Sequence, residues 1–353
     1  MLNFTYEALP SRVLFGAGSL DKLEVEIERL GARHALVLST PEQRASAEDV
    51  AKRLGARAAA IFDRAVMHVP IETAEAARKA AQELGADCCV AVGGGSTIGL
   101  GKAIALTSDL PILAIPTTYA GSEMTPIFGL TEGGAKRTGR DRRVLPKTVI
   151  YDPLLTLTLP PALSAASGMN AIAHCVEALY AQDANPIISL MAEEGIRALA
   201  HSLPTVVKAP TNLEARSQAL YGAWLAGAAL GAVGMALHHK LCHTLGGSFN
   251  LPHAETHTIV LPHAARYNRD AAAEAMARIA KALGVADAPT GLFDLAIKTG
   301  AKTALQDIGM NAADLDQAAD IACRNPYYNP RPVTRDGIRA LLDDAFHGRR
   351  PAA

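Results

Sequence analysis

Eleven histidines are unevenly spread over the 353 residues, and those with informative spacing fall in the second half. Asn170 and His174 stand four apart in NAIAH, and His239 and His243 repeat the interval in HKLCH. His253 follows in LPHAETH with His257 four further on, and His263 lies in a second LPH. Residues four apart share a helix face. Two imidazoles so placed, joined by another from a following turn, have the geometry of a divalent metal site. A lone histidine on an apolar helix is ordinarily a satisfied core residue. Several in neighbourhoods this apolar point instead to a shared polar cavity, with metal binding a separate question.

A second kind of chemistry is written in the first half. Gly93-Gly94-Gly95-Ser96 follows an apolar run and opens a helical stretch, TIGLGKAIALTS. Glycines at such a junction let backbone N–H groups approach a pyrophosphate, and the helix N-terminus adds a favourable partial charge. Lys102 lies two turns into that stretch, within expected reach of a phosphate. Thr117 and Thr118 sit in a polar loop, PTTYAGSE, after the next strand, where hydroxyls can bond a cofactor. At Ser39-Thr40 the acidic residue that would grip a ribose 2′-hydroxyl is missing, so NADH and NADPH are both expected to be accepted. Phe15-Gly16-Ala17-Gly18 lacks the third glycine of a dinucleotide fingerprint and reads as a turn.

The elements that must position these residues fall into two blocks. Apolar runs at 34–40, 58–63, 86–96, 111–117 and 148–153 alternate with helical stretches such as 45–54 and 71–85, the pattern of βαβ units and a parallel sheet. Beyond about Thr158 the strand signals vanish, leaving expected helices at 161–181, 186–208, 212–247, 270–283, 290–306, 311–323 and 334–346. The expected architecture is an α/β dinucleotide-binding domain with a parallel sheet over 1–155 and an all-helical substrate domain over 156–353. The chain is 49% hydrophobic and carries a formal net charge of −1, so neither disorder nor a nucleic-acid partner is expected. Five cysteines without a C-x-x-C pair read as buried hydrophobes in a reducing cytoplasm. The first residues show no secretory signal. Residues 220–237 are uncharged, yet their Ala and Gly content and the adjoining His-His-Lys favour a core helix over a membrane span.

Taken in order, GGGS…GK, PTT-x-x-GSE, N-A-I-A-H, H-x-x-x-H-x-L-G-G, L-P-H and Asn329-Pro330-Arg331-Pro332 cover nearly the whole chain. Together they resemble the iron-containing (group III) alcohol dehydrogenase superfamily. That resemblance implies a dinucleotide domain, a helical domain, and an active site in the cleft between them, with a metal held by one aspartate and three histidines. The matching positions here are Asn170, His174, His239 and His253, so the aspartate is replaced. Gly99 also stands where the family usually has an aspartate. A neutral amide removes the one anionic ligand, which should weaken a dication by several kcal/mol. The versions GGGSTIGLGKAIAL, PTTYAGSE, FDRAVMHVP, SGMNAIAHCVEALYA and NPYYNPRPV are similar to one branch, the maleylacetate reductases.

That branch implies a cytoplasmic, usually dimeric, metal-independent enzyme of aromatic-compound degradation that uses NADH or NADPH to reduce the alkene of maleylacetate, giving 3-oxoadipate. On this resemblance His243 is expected to donate a proton or stabilise an oxyanion, beside the former ligand position. His174, His239 and His253 would supply an electropositive lining, with Tyr119, Asn170 and Arg331 contacting the dianionic substrate. Three alternatives are weighed against it: a zinc or iron alcohol dehydrogenase keeping the three histidines and Asn170 as ligands, a dehydroquinate-synthase-like lyase, and a binding protein without turnover. The lyase fits poorly, because cationic groups are sparse in the histidine segments.

Overall fold

Alternating side-chain direction in short apolar strands explains the first block. In the computed structural model, which describes residues 4–9, 11–133, 135–324 and 327–352, eight strands and four helices occupy the described part of it. Asn325 and Pro326, which open the NPYYNPRPV segment, lie outside the described residues. In chain order the elements are β1 (Arg12–Phe15), α1 (Leu23–Arg29), β2 (Ala35–Leu38), α2 (Arg44–Leu54), β3 (Ala58–Phe62), α3 (Ile71–Glu83), β4 (Cys88–Gly93), α4 (Gly95–Ser108), β5 (Ile112–Pro116), β6 (Ile127–Glu132), β7 (Ala135–Arg140) and β8 (Thr148–Tyr151). Six strands form a parallel sheet in the order β1-β8-β5-β4-β2-β3. Along β2, Ala35 and Val37 pack with α1 and α2 on one face, while Leu36 and Leu38 pack with α3 and α4 on the other. Burial on both faces is why these strands read as unbroken apolar runs. The antiparallel hairpin β6–β7 and the four-residue edge strand β1 escape the sequence reading, since neither carries such a run.

The chain divides into two compact units, Ala8–Leu159 and Pro160–Ala353, the latter joined by the segment ending at Glu7. The break falls after Leu159 rather than after residue 155, because the turn Pro153–Thr156 stays with the sheet. Asp152 caps it through Leu154 N–H and also accepts from Gly18 and Leu20, and Thr156 is buried.

The second unit contains α5 (Pro161–Ala178), α6 (Pro186–Lys208), α7 (Leu213–Ala232), α8 (Leu237–Phe249), α9 (His253–Asn268), α10 (Ala273–Leu283), α11 (Ala288–Lys298), α12 (Leu315–Ala322) and α13 (Arg335–His347). Two sequence expectations need correction here. The stretch 212–247 is not one helix: α7 and α8 meet at 95°. At the break, Gly234 N–H donates to Asp183 and Ala236 N–H to Glu177, so acidic side chains satisfy what the helix gives up. No single helix among the described residues is long and apolar enough to cross a membrane. His253 does not sit in a turn; it begins α9, a helix the periodicity reading left out.

Candidate active site

In the first unit, the expected cofactor residues converge at the carboxyl ends of three adjacent strands. Ser39 and Thr40 follow β2, Gly93 to Ser96 join β4 to α4, and Thr117 and Thr118 follow β5. Thr117 N–H donates to the Gly93 carbonyl at 3.1 Å, and Gln43 Nε2 donates to Thr117 Oγ1 at 2.7 Å. Gly93 has φ +152°, and a Cβ there would lie 2.5 Å from Thr97 Oγ1 and 2.6 Å from Gln43 Oε1. At Gly94 a Cβ would meet the Thr118 side chain at 2.9 Å. No side chain caps α4, and the buried hydroxyls of Ser39 and Thr97 have no partner among the described residues. Open first-turn N–H groups, a close backbone approach and unspent hydroxyls fit a dinucleotide pyrophosphate. Gln43 was missed in the sequence, because a glutamine five residues past a strand carries no distinguishing signal.

Two expected ligand contacts are corrected in this unit. Lys102 does not point at a phosphate. Its ammonium is buried and donates to the Ser122, Thr125 and Ile127 carbonyls and to Thr125 Oγ1, all within 2.6–2.9 Å. Burial pushes it down to about 7, with nearby Glu123 opposing the shift. Lys102 therefore pins the chain that follows the Thr117–Gly121 loop. Tyr119 is fully buried and presents no surface for a substrate to touch.

In the second unit, helix spacing and packing assemble the imidazoles. Asn170, His174 and Glu177 lie along one face of α5, His238, His239 and His243 on α8, and His253 and His257 on α9. His174 Nδ1 is 2.8 Å from His239 Nε2, and His239 Nδ1 is 2.7 Å from Glu177 Oε2. The Asn170 amide nitrogen lies 3.4 Å from His174 Nε2, and its Oδ1 is buried without a partner among the described residues. His257, fully buried, stands among His253, His238 and His239 with ring centroids 4.3, 4.8 and 4.9 Å away. His243 is exposed, its ring 6.4 Å from that of His239.

Glu177 and His238 had no role in the sequence reading, and His257 entered it only as one of the spaced histidines. Asn170, His174 and Glu177 nevertheless follow an i, i+4, i+7 pattern, which is a legible signal for Glu177. One member of the expected electropositive lining, His239, is corrected as well. Burial, aided by His243, pushes the His239 imidazole down to about 3, and burial takes His238 to about 4 and His257 well below its ordinary value. These three are neutral at pH 7. Arg331, expected at the substrate, instead stacks its guanidinium 4.2 Å over the Tyr267 ring and donates to the Tyr267 carbonyl at 3.3 Å. Asn329 Nδ2 fixes the same loop by donating to the Arg331 carbonyl.

A resident metal does not fit these side chains as they stand. Both nitrogens of His239 are engaged, one by His174 and one by Glu177. Asn170 offers only a neutral oxygen. Ligand-capable atoms of His238, His239 and His257 do lie within 4.8 Å of one another. With His239 occupied and His238 Nε2 spent on the His257 carbonyl, that group offers two neutral nitrogens, too few for a divalent ion.

Comparison with known proteins gives the lineage. The pattern for iron-containing alcohol dehydrogenase matches residues 10–153, and that for the C-terminal part of the Fe-containing alcohol dehydrogenase family matches 164–346. A maleylacetate reductase of Burkholderia cepacia is 63% identical over 349 residues, 99% of each chain. The crystal structure of maleylacetate reductase from Agrobacterium tumefaciens is 55% identical with a TM-score of 0.96, covering 99% of this chain and 100% of that one. An iron-containing alcohol dehydrogenase from Corynebacterium glutamicum is 48% identical with a TM-score of 0.95, covering 99% and 98%. This chain belongs to the iron-containing alcohol dehydrogenase family.

Proposed function

We propose that the protein is a maleylacetate reductase that uses NADH or NADPH to reduce the carbon–carbon double bond of maleylacetate, giving 3-oxoadipate. The observation that carries this reading is the end-to-end similarity to proteins of that name, at 63% identity in one case. The glycine junction Gly93–Ser96, with Ser39, Thr40, Thr117 and Thr118, would hold the dinucleotide. When bound, the nicotinamide supplies a hydride to the alkene carbon β to the ketone. The alkene electrons then move toward the ketone oxygen, where an imidazole N–H stabilises the enolate before a proton reaches the neighbouring carbon. His243 is the residue proposed for this role, being exposed while His174 and His239 are tied to one another. His253, half-buried, completes the polar wall with those two. Conjugation lets negative charge spread onto oxygen, so the step does not demand the Lewis acid that an isolated carbonyl would. The reading extends to metal-independent turnover by a cytoplasmic homodimer, as the resemblance implies.

A second reading, a metal-dependent alcohol dehydrogenase, is favoured by the relative at 48% identity that carries iron in its name. NADH oxidation with maleylacetate by chelator-stripped protein separates the two. Turnover without zinc or iron is expected; activity that vanishes and returns only with added metal would overturn the metal-free reading.

A further inference from the structure

Glu177 is fully buried in α5, and α8 has no capping side chain of its own. Its two carboxylate oxygens accept the main-chain N–H groups that open α8: Ala236 at 2.9 Å, His238 at 2.7 Å and His239 at 3.3 Å. The Tyr180 hydroxyl adds a fourth donor at 3.5 Å. Burial raises the Glu177 carboxyl, while these converging N–H donors at a helix N-terminus oppose the rise and hold the anion in place. What faces Glu177 at His239 Nδ1, 2.7 Å away, is therefore a fifth donor, an N–H.

The rest follows by alternation. A neutral imidazole with its hydrogen on Nδ1 has a lone pair on Nε2. His239 Nε2 must then accept, so His174 Nδ1, 2.8 Å from it, must donate. That leaves a lone pair on His174 Nε2, which receives the Asn170 amide N–H at 3.4 Å. The Asn170 carbonyl oxygen is turned away from the chain, which accounts for its lack of a partner.

We propose that Glu177 is a positioning residue that sets the direction of this hydrogen-bond chain, fixing His239 and His174 as Nδ1–H tautomers and the outer end of the chain as the acceptor Oδ1 of Asn170. Both imidazole hydrogens are spent inward, so neither ring can donate to a substrate oxyanion, and proton delivery falls to His243. Glu177→Leu would remove what sets the order. With no acceptor facing His239 Nδ1, nothing holds the hydrogen there, and Nε2–H forms of His239 and His174 become populated.

The catalytic consequence rests on the reductase reading, whereas the tautomers do not. Long-range proton–nitrogen correlation spectra of histidine-labelled wild-type protein should show His239 and His174 protonated on Nδ1. Folded Glu177→Leu should show Nε2–H forms of both. Its kcat should fall about tenfold or more, as a wrong tautomer entails, with KM for NADH unchanged. Asp183→Asn is the control: it removes the other carboxylate at the α7–α8 break, which bonds Gly234 and no imidazole, and should alter neither tautomers nor kcat. An Nε2–H on either histidine in the wild type overturns the proposal even if the variant does not fold. So does a folded Glu177→Leu protein with unchanged tautomers or full kcat. Wild-type protein that shows the tautomers but does not reduce maleylacetate refutes the reductase reading alone.

Discussion

Replacing Asn170 with aspartate tests whether this one position keeps the imidazole site from holding a metal. The side chain is buried, with its amide nitrogen 3.4 Å from His174 Nε2. A carboxylate there has no cation to face, because His174 presents a lone pair in that direction. Burying it uncompensated costs on the order of 3 kcal/mol. A proton on His174 would recover part of this: at 3.4 Å and an effective dielectric near 20, the attraction is about 5 kcal/mol gross, or about 3.6 pKa units. That proton would also break the donor order toward His239. A dication satisfies the carboxylate without a proton. Metal-free Asn170→Asp should therefore be less stable than wild type at pH 8, and zinc should restore it. At a zinc concentration near 100 times Kd the stabilisation is about 2.7 kcal/mol, a rise in melting temperature of about 4 °C for a chain of 353 residues. The assay is thermal denaturation of chelator-treated protein with and without zinc, with metal content measured after desalting. Wild type should not respond. Equal zinc shifts in both proteins, or none in the variant, would refute the claim that the lost carboxylate decides the matter.

Two other expectations are simpler to check. Gly93→Ala places a methyl group 2.5 Å from Thr97 Oγ1 at φ +152°, so NADH affinity measured by fluorescence titration should fall about tenfold or more. Unchanged affinity would show that the cofactor does not use this junction. His263, buried against Phe293, is pushed down to about 4 by burial, with Asp344 opposing. Its folded value lies below its unfolded one of 6.5, so the unfolded chain takes up the proton first and stability is lost as pH falls from 6.5 toward 4. At pH 5 this amounts to about 2 kcal/mol, and urea midpoints should show His263→Gln losing that much less than wild type between pH 7 and pH 5. Parallel pH profiles would contradict it.

Local periodicity made much of this molecule legible. A strand buried on both faces, as β4 is, must read as an apolar run, and glycines at its end mark where backbone meets ligand. The i,i+4 spacing likewise places His239 beside His243 before any tertiary contact exists. The kink between α7 and α8 was not legible, because its N–H groups are satisfied by Asp183 and Glu177, more than fifty residues away in the chain. Nor was the fate of Lys102. Its spacing suits a phosphate, yet the carbonyls of 122–127 fold back and take all its hydrogens.

The sequence by itself determined the residue types, their helical or strand spacing, the glycine junction and the loss of the one anionic ligand at Asn170. These are properties of covalent order and of the 3.6- and 2-residue repeats. Only the tertiary structure decided which nitrogen of each imidazole carries its hydrogen, since that depends on α5 meeting the first turn of α8. It also decided that His239 is neutral, since burial sets that charge, and that Arg331 serves a loop, since only folding brings Tyr267 beneath it. Hydrogen-bond direction and desolvation arise from neighbours distant in sequence, and no local spacing encodes them.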